Sequence, residues 1–252
     1  MIFYDIIPSL FISLKLFMEE NKINIPGAII LAGIIIAVAI LLTNGKIARN
    51  DAPSDAKPQP QEITVAKVDS NEHILGNANA KIVVIEFSDT ECPFCKQFHP
   101  TMQKIVADYK GEVAWVYRHF PLDKPNPQGI ILHSKAGKEA EATECAGEQG
   151  GNEVFWQYLD KVFEITPSND GLDLVLLPQI ASELGLDVKT FNNCLSSGKY
   201  KNLIESQYQD GLKAGITGTP ASIVVNQKTS KKTMVVGAGS YETIKSTIDS
   251  LK

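Results

Sequence analysis

Ile82, Val83, Val84 and Ile85 are all β-branched, and with Glu86 and Phe87 they form a nearly continuous apolar run. Strict alternation is expected of a strand with one wet face, so a run of this kind suits a strand buried on both faces. Ser88-Asp89-Thr90-Glu91 follows as a polar turn, and the periodicity then changes. Phe94, Phe98, Met102, Ile105 and Tyr109 recur at spacings of three and four, the period of a helix with one apolar face. Pro93 falls in the first helical turn, where the missing N–H has no partner in any case. Pro100 falls mid-helix, where a kink is expected. Val113 to His119 reads as the next strand. Two strands joined by a helix imply a parallel βαβ unit with a right-handed crossover.

Beyond this unit, residues 128–215 read as helical, with no strong strand signal. Ala136, Ala140 and Thr143 mark the narrow face of one helix, and Phe155, Leu159, Val162 and Phe163 mark a second. Pro178 opens a third running to Leu184, and Asp187 is placed to cap a fourth that carries Phe191 and Cys194. Strand signals return at Ala221–Val225 and Thr233–Val236, with Asn226–Lys232 as the hairpin loop between them. Tyr241 to Leu251 closes the chain as an amphipathic helix. The order is therefore β-α-β, a helical block, then β-β-α, with no internal repeat. A net charge of −5 over 252 residues, without a long basic run, gives no electrostatic reason to expect a nucleic-acid partner.

Folded sequence begins near Ile63. Upstream, Ile25 to Thr43 is free of charge, and Ala28 to Leu42 is apolar throughout, counting Gly33. This is just long enough to cross a bilayer as a helix, which takes about 20 residues. A secretory leader is the competing reading, but Thr43-Asn44-Gly45-Lys46 makes a poor cleavage site, so an uncleaved anchor is expected. Lys15 and Lys22 before the span and Lys46 and Arg49 after it leave orientation undecided by charge. The expected organisation is an N-terminal cytoplasmic segment (1–24), a transmembrane anchor (25–44), a Pro-rich linker (45–62) and a folded domain (63–252) with its helical insertion at about 128–215.

Four cysteines are too few for a disulfide scaffold, and a chain of this length does not need one. Two of them form the close pair Cys92-Pro93-Phe94-Cys95. A C-x-x-C pair has two leading meanings, half a zinc site or a redox-active dithiol. A zinc site wants a second close pair of ligands. Here Cys145 and Cys194 lie 50 and 99 residues beyond Cys95, and His73, His99, His119 and His133 are scattered. The local setting also favours redox chemistry. A buried strand ends, a short turn follows, and Cys92 lands at a helix N-terminus, where unpaired N–H groups and the positive end of the helix dipole stabilise a thiolate. Cys95, one turn on, is placed to close a small disulfide and to resolve a mixed disulfide on Cys92. His99 and His119 read as structural or solvated.

Val84-Ile85-Glu86-Phe87-Ser88-Asp89 with Cys92-Pro93-Phe94-Cys95 resembles the DsbA-like branch of the thioredoxin superfamily, in particular its membrane-anchored bacterial members. Cys145-Ala146, Gly185-Leu186-Asp187, Phe191, Cys194-Leu195 and Gly215-Ile216-Thr217-Gly218-Thr219-Pro220 extend the resemblance from about Gly76 to the C-terminus. It implies an α/β thioredoxin fold with a helical insertion between the βαβ and ββα halves. It further implies a cis-Pro220 facing the active-site pair, Thr219 contacting substrate backbone, and a buried Glu86 moving protons to and from the cysteines. Relatives that carry both Cys145 and Cys194 join them in a structural disulfide, and the same bridge is expected here. Where the best-known oxidants of the family have His, this chain has Phe94, which cannot stabilise a thiolate by protonation but offers apolar contact to substrate beside Pro93.

The resemblance implies a protein-disulfide oxidoreductase acting on exported cysteine-containing proteins and reoxidised by a DsbB-like or VKOR-like membrane partner. The dithiol carries two electrons itself, so no metal or organic cofactor is expected. The protein is expected to be a monomer, held to the cell membrane with its catalytic domain on the extracytoplasmic side. Two alternatives stand beside this reading. One is a disulfide reductase or isomerase fed by a transmembrane reductant. The other is a copper-binding metallochaperone, against which the lack of a methionine- or histidine-rich ligand cluster counts.

Overall fold

A computed structural model describes residues 63–69 and 71–252; the expected segments 1–24, 25–44 and 45–62 lie outside the described residues. Within those residues no helix is long and apolar enough to cross a membrane. The elements are β1 (His73–Gly76), β2 (Ile82–Ser88), α1 (Pro93–Asp108), β3 (Val113–His119), α2 (Ala136–Ile165), α3 (Leu177–Glu183), α4 (Val188–Ser197), α5 (Lys201–Lys213), β4 (Ala221–Asn226), β5 (Lys232–Val236) and α6 (Tyr241–Leu251). The five strands form one sheet in the order β1-β3-β2-β4-β5. Only β2 and β3 run parallel, as the strand–helix–strand pattern requires; the other three pairings are antiparallel.

All seven residues of β2 are buried, because both faces of this central strand are covered. On one face Ile82 and Val84 meet Phe98, Met102 and Ile105 of α1 and Ile244 and Ile248 of α6. On the other, Val83, Ile85 and Phe87 pack with Val116, Ile223 and Ile216, and Ile63, Val65 and Val68 of the entering chain close over them. Each such side chain contributes about 1.5–3 kcal/mol by leaving water. The helix α1 is assigned without a break across Pro100, whose missing N–H leaves the Lys96 carbonyl without its helical partner.

The helical block has its own apolar centre, where Cys145, Tyr158 and Val162 meet Ile180 and Phe191. The two helices expected at its start form one element that changes direction at Gly151, which takes a φ of 73° that glycine adopts freely. Asp187 caps α4 as expected, accepting from Thr190 N at 2.6 Å. Cys145 and Cys194 are bridged, their Cα atoms 5.9 Å apart, so that α2 is tied to α4.

Two elements were not singled out by the sequence, β1 and α5. The first has four half-exposed or exposed residues, and its pairing with β3 supplies the order its composition does not. The second packs so closely on the sheet that a Cβ on Gly211 would come within 2.9 Å of Phe87 and Phe120. Both are pinned by Arg118, which is almost fully buried. Its guanidinium donates to Glu72 ahead of β1, to Asp210 of α5 and to the Ala66 carbonyl. Asp210 in turn accepts from Ala66 N at 2.8 Å.

The bridge spans 49 residues of sequence, which the chain-entropy model converts to about 4 kcal/mol as an upper figure. Replacing both Cys145 and Cys194 by Ala is therefore expected to lower stability in urea titration by up to about that amount. The alkylation rate of Cys92 should not change.

Candidate active site

Three pieces of chain meet at the cysteine pair: the end of β2 with its turn, the N-terminus of α1, and the loop before β4. Cys92 occupies the N-cap of α1 in an extended conformation, with Pro93 beginning the helix. Its N–H donates to Asp89 O at 3.1 Å, and its carbonyl accepts from Lys96 N at 3.1 Å. Thr219–Pro220 is a cis peptide, as expected. Its Thr219 carbonyl accepts from Cys92 Sγ at 3.4 Å. The Pro220 carbonyl is held by Gly237 N at 2.8 Å, just past β5.

The two thiols sit in opposite environments. The Cys95 thiol beside it brings the Cys92 pKa down to about 6, against the effect of burial, and Thr219 and the backbone N–H groups of Cys95 and Phe94 add to the lowering. Cys95 has no exposed surface, and burial, reinforced by Cys92 and Glu86, pushes its thiol well above the usual value. At neutral pH Cys92 is thus mainly thiolate and Cys95 remains protonated. That split gives one nucleophile and one resolving thiol.

Glu86 lies between Tyr117 and Ser222 on the neighbouring strands and is almost fully buried. Burial raises its carboxyl to about 8, with the Cys92 charge assisting and Ser88 and Trp115 partly opposing. A carboxyl with that pKa is protonated at neutral pH and can exchange its proton there.

Phe94 is 60% exposed beside Cys92, and Val236, facing Ala221 across the hairpin, is 78% exposed next to Pro220. These side chains put exposed apolar surface on the two chain segments, α1 and the β4–β5 hairpin, that adjoin the cysteine pair and Pro220. The structure thus brings together Cys92, Pro93, Phe94, Cys95, Glu86, Thr219 and Pro220. Cys145 and Cys194 lie apart, in the helical block.

The Ser88–Glu91 turn, which reads as a polar turn in the sequence, is buried. Every charge in it has a partner. Asp89 accepts from Glu91 N and Leu122 N at 2.7 Å and from His133 Nδ1 at 3.0 Å. The Glu91 carboxylate accepts from Gly171 N and Leu172 N, and its carbonyl accepts from Asn169 N. Thr90 Oγ1 donates to Glu139 at 2.6 Å, and burial followed by the adjoining Glu91 raises the Glu139 carboxyl to about 9. Apart from the Glu91 N–H, these partners come from residues 122–172, and nothing in the local sequence marks them.

His73 and His119 both donate to Glu144 at 3.0 Å; burial opposes its ionisation, but these bonds hold the carboxyl down at about 2. They act as struts between β1, β3 and α2, in keeping with the structural reading of His119. Lys96, directly after Cys95, donates to the carbonyls of Glu164 and Thr166 at the end of α2.

A family model described as thioredoxin matches residues 68–250. Among curated proteins, the chain is 31% identical over 153 residues to the Na(+)/H(+) antiporter NhaA 3 of Salinispora tropica, a match covering 61% of this chain and 21% of that protein. It is 29% identical over 157 residues to the Na(+)/H(+) antiporter NhaA of Herminiimonas arsenicoxydans, covering 62% and 23%. The chain therefore spans about a fifth of the length of the curated relatives it matches. Among solved structures, Pseudomonas aeruginosa DsbA2 superposes with a TM-score of 0.62 at 27% identity, over 74% of this chain and 97% of that one. Wolbachia pipientis alpha-DsbA1 gives 0.60 at 26% identity, over 73% and 92%. The fold is shared as well with oxidised BdbD of Bacillus subtilis, at a TM-score of 0.59 and 24% identity over 75% and 96%. With its dithiol at the head of α1 and a helical block between the two halves of the sheet, this chain belongs to the thioredoxin family and is similar in fold to the DsbA-type structures above.

Proposed function

We propose that this chain introduces disulfides into exported proteins from the extracytoplasmic side of a membrane, to which residues 25–44 anchor it. The observation that carries this reading is the unequal thiol pair, a Cys92 thiolate at a helix N-terminus above a fully buried Cys95 thiol. Stabilising the thiolate stabilises the reduced protein and so makes its disulfide the better oxidant. The Cys145–Cys194 bridge supports an oxidising compartment, since such bonds are rare in the cytosol.

In the cycle, a substrate thiolate attacks Cys92 Sγ of the Cys92–Cys95 disulfide. The electron pair of the broken bond passes to Cys95, which takes up the Glu86 proton. A second substrate thiol then attacks the mixed disulfide, leaving an oxidised substrate and a reduced pair. Phe94 and Val236 supply apolar contacts for unfolded polypeptide, and the Thr219 backbone supports the bound segment. A membrane protein of DsbB or VKOR type returns the pair to the disulfide.

Phe94 favours a second reading, a reductase fed by a membrane donor, because it offers no positive charge to the thiolate. The reduction potential separates the two. Cys92 titrates at about 6, below the pKa of about 7 found in thioredoxin, so the potential is expected on the oxidising side of about −270 mV. Equilibration with glutathione measures it, and a value at or below thioredoxin's would support the reductase.

Phe94→His should lower the Cys92 pKa and raise the potential by about 30 mV for each unit of lowering. Ultraviolet titration of the thiolate and the same glutathione equilibration read both changes.

Glu86→Gln should slow oxidation of a substrate dithiol by the Cys92–Cys95 disulfide on the order of a hundredfold below about pH 8, where the native carboxyl holds the proton that Cys95 takes up, with the deficit shrinking above it. Because the folded state holds this proton to higher pH than the unfolded chain does, Glu86 lowers stability as pH rises from about 4.5 to about 8. Glu86→Gln should therefore flatten that slope in urea titrations, by a few kcal/mol at the upper end.

A further inference from the structure

Under α1, on the face of the sheet that carries Glu86, five buried polar atoms make no close hydrogen bond to any described residue, namely Glu86 Oε2, Ser88 Oγ, Trp115 Nε1, Tyr117 OH and Ser222 Oγ, although Ser88 and Trp115 lie near enough to Glu86 to lower its carboxyl. Strand register makes them neighbours. Glu86 sits opposite Tyr117 and Ser222, and Ser88 and Trp115 lie two residues along the same face. Buried polar groups in native proteins are paired, by ordered water where no protein group reaches. These five atoms provide donors and acceptors for such water directly below Cys95.

A sixth such atom is His99 Nδ1. His99 is one turn beyond Cys95 on α1, 5% exposed, with its ring centroid 5.0 Å from that of Trp115. Phe163 and Trp156 enclose it further, at 4.8 and 6.4 Å. On the other side of the ring, Nε2 lies 2.6 Å from Asp160 Oδ1, as donor or acceptor according to the tautomer. Asp160 also accepts from Gln103 at 3.0 Å, and its side chain is 45% exposed. The ring therefore has a half-exposed carboxylate at one nitrogen and, at the other, an unpartnered buried atom on a ring packed against Trp115, one of the five residues above. The titratable groups around this path are Glu86 and Tyr117 from the sheet, Cys95 from α1 and Asp160 from α2.

We propose that His99 is a proton-relay residue, acting through Glu86 and connecting the buried Cys95–Glu86 pair to solvent by way of Asp160. This inference rests on the oxidoreductase reading above. When substrate sulfur bonds to Cys92, the Cys92–Cys95 bond breaks and its electron pair goes to Cys95, which takes the Glu86 proton. Glu86 is left as a buried carboxylate. A neutral His99 carrying its proton on Nδ1 passes that proton to Glu86 through the intervening water, while Nε2, bare in that tautomer, takes one from solvent by way of Asp160, so the ring stays neutral with its proton now on Nε2. Reoxidation runs the same transfers backwards.

The test uses the full chain, oxidised, with a dithiol peptide as substrate and stopped-flow detection. His99→Gln keeps a donor for Asp160 but cannot pass a proton across a ring, and His99→Phe keeps the packing. Both are expected to slow Cys95 release at least about tenfold at neutral pH. The Cys92 thiolate titration and the reduction potential should remain those of the wild type. The double variant Glu86→Gln/His99→Gln should be no slower than Glu86→Gln alone, because two residues on one path do not add. Multiplicative losses in the double variant, wild-type rates in both single variants, or slowing that follows a shifted Cys92 titration would each overturn the relay. A wild-type chain without exchange activity would overturn the oxidoreductase reading and the relay together, whereas an active wild type with unaffected variants removes the relay alone.

Discussion

Every side chain of β2 is withdrawn from water, and this desolvation governs both the packing of the domain and the chemistry at its edge. Ile82, Val84 and Val83, Ile85 anchor opposite faces of the sheet, so α1 and α6 settle on one side while the entering chain and α5 settle on the other. The same burial takes Glu86 out of water in the middle of the strand. A carboxyl there is cheaper neutral than charged, which turns an ordinary acid into one that holds its proton near pH 7. Packing and acid–base function thus have one cause.

The cysteine pair repeats that logic at the strand's end. Cys92 and Cys95 are three residues apart on one helix, yet their surroundings separate them. Cys92 lies at the N-cap, where backbone N–H groups lack helical partners and favour negative charge. Cys95 lies one turn inside, against the apolar face formed by Phe98 and Trp115, where charge is penalised. The helix N-terminus and the core therefore give two identical side chains opposite acidities.

The helical block does more than enlarge the domain. Its residues supply many of the polar contacts of the Ser88–Glu91 turn, from Asn169, Gly171 and Leu172 on Glu91 to Glu139 on Thr90. The turn that presents Cys92 is thereby held by a second layer of structure, and the Cys145–Cys194 bridge braces the layer itself. Arg118 performs the corresponding service on the other side, joining Glu72, Asp210 and Ala66 around one buried guanidinium. A buried charge of this kind is tolerated only because all three of its nitrogens find acceptors.

The sequence by itself determined the strand–helix–strand start, the helical block, the closing hairpin and helix, and the position of the dithiol. Each of these rests on local information: apolar period, proline placement, an Asp187 cap, and a C-x-x-C spacing. Resemblance supplied the cis bond at Pro220 and the Cys145–Cys194 pairing, which no local pattern specifies. Tertiary structure alone decided the rest. It made β1 a strand by pairing it with β3, buried a turn composed entirely of polar residues, and gave His99 a wet carboxylate on one nitrogen and the core on the other. The physical reason is that desolvation and pairing are properties of what packs against a residue, and for these residues the packing partners lie tens of positions away in the chain.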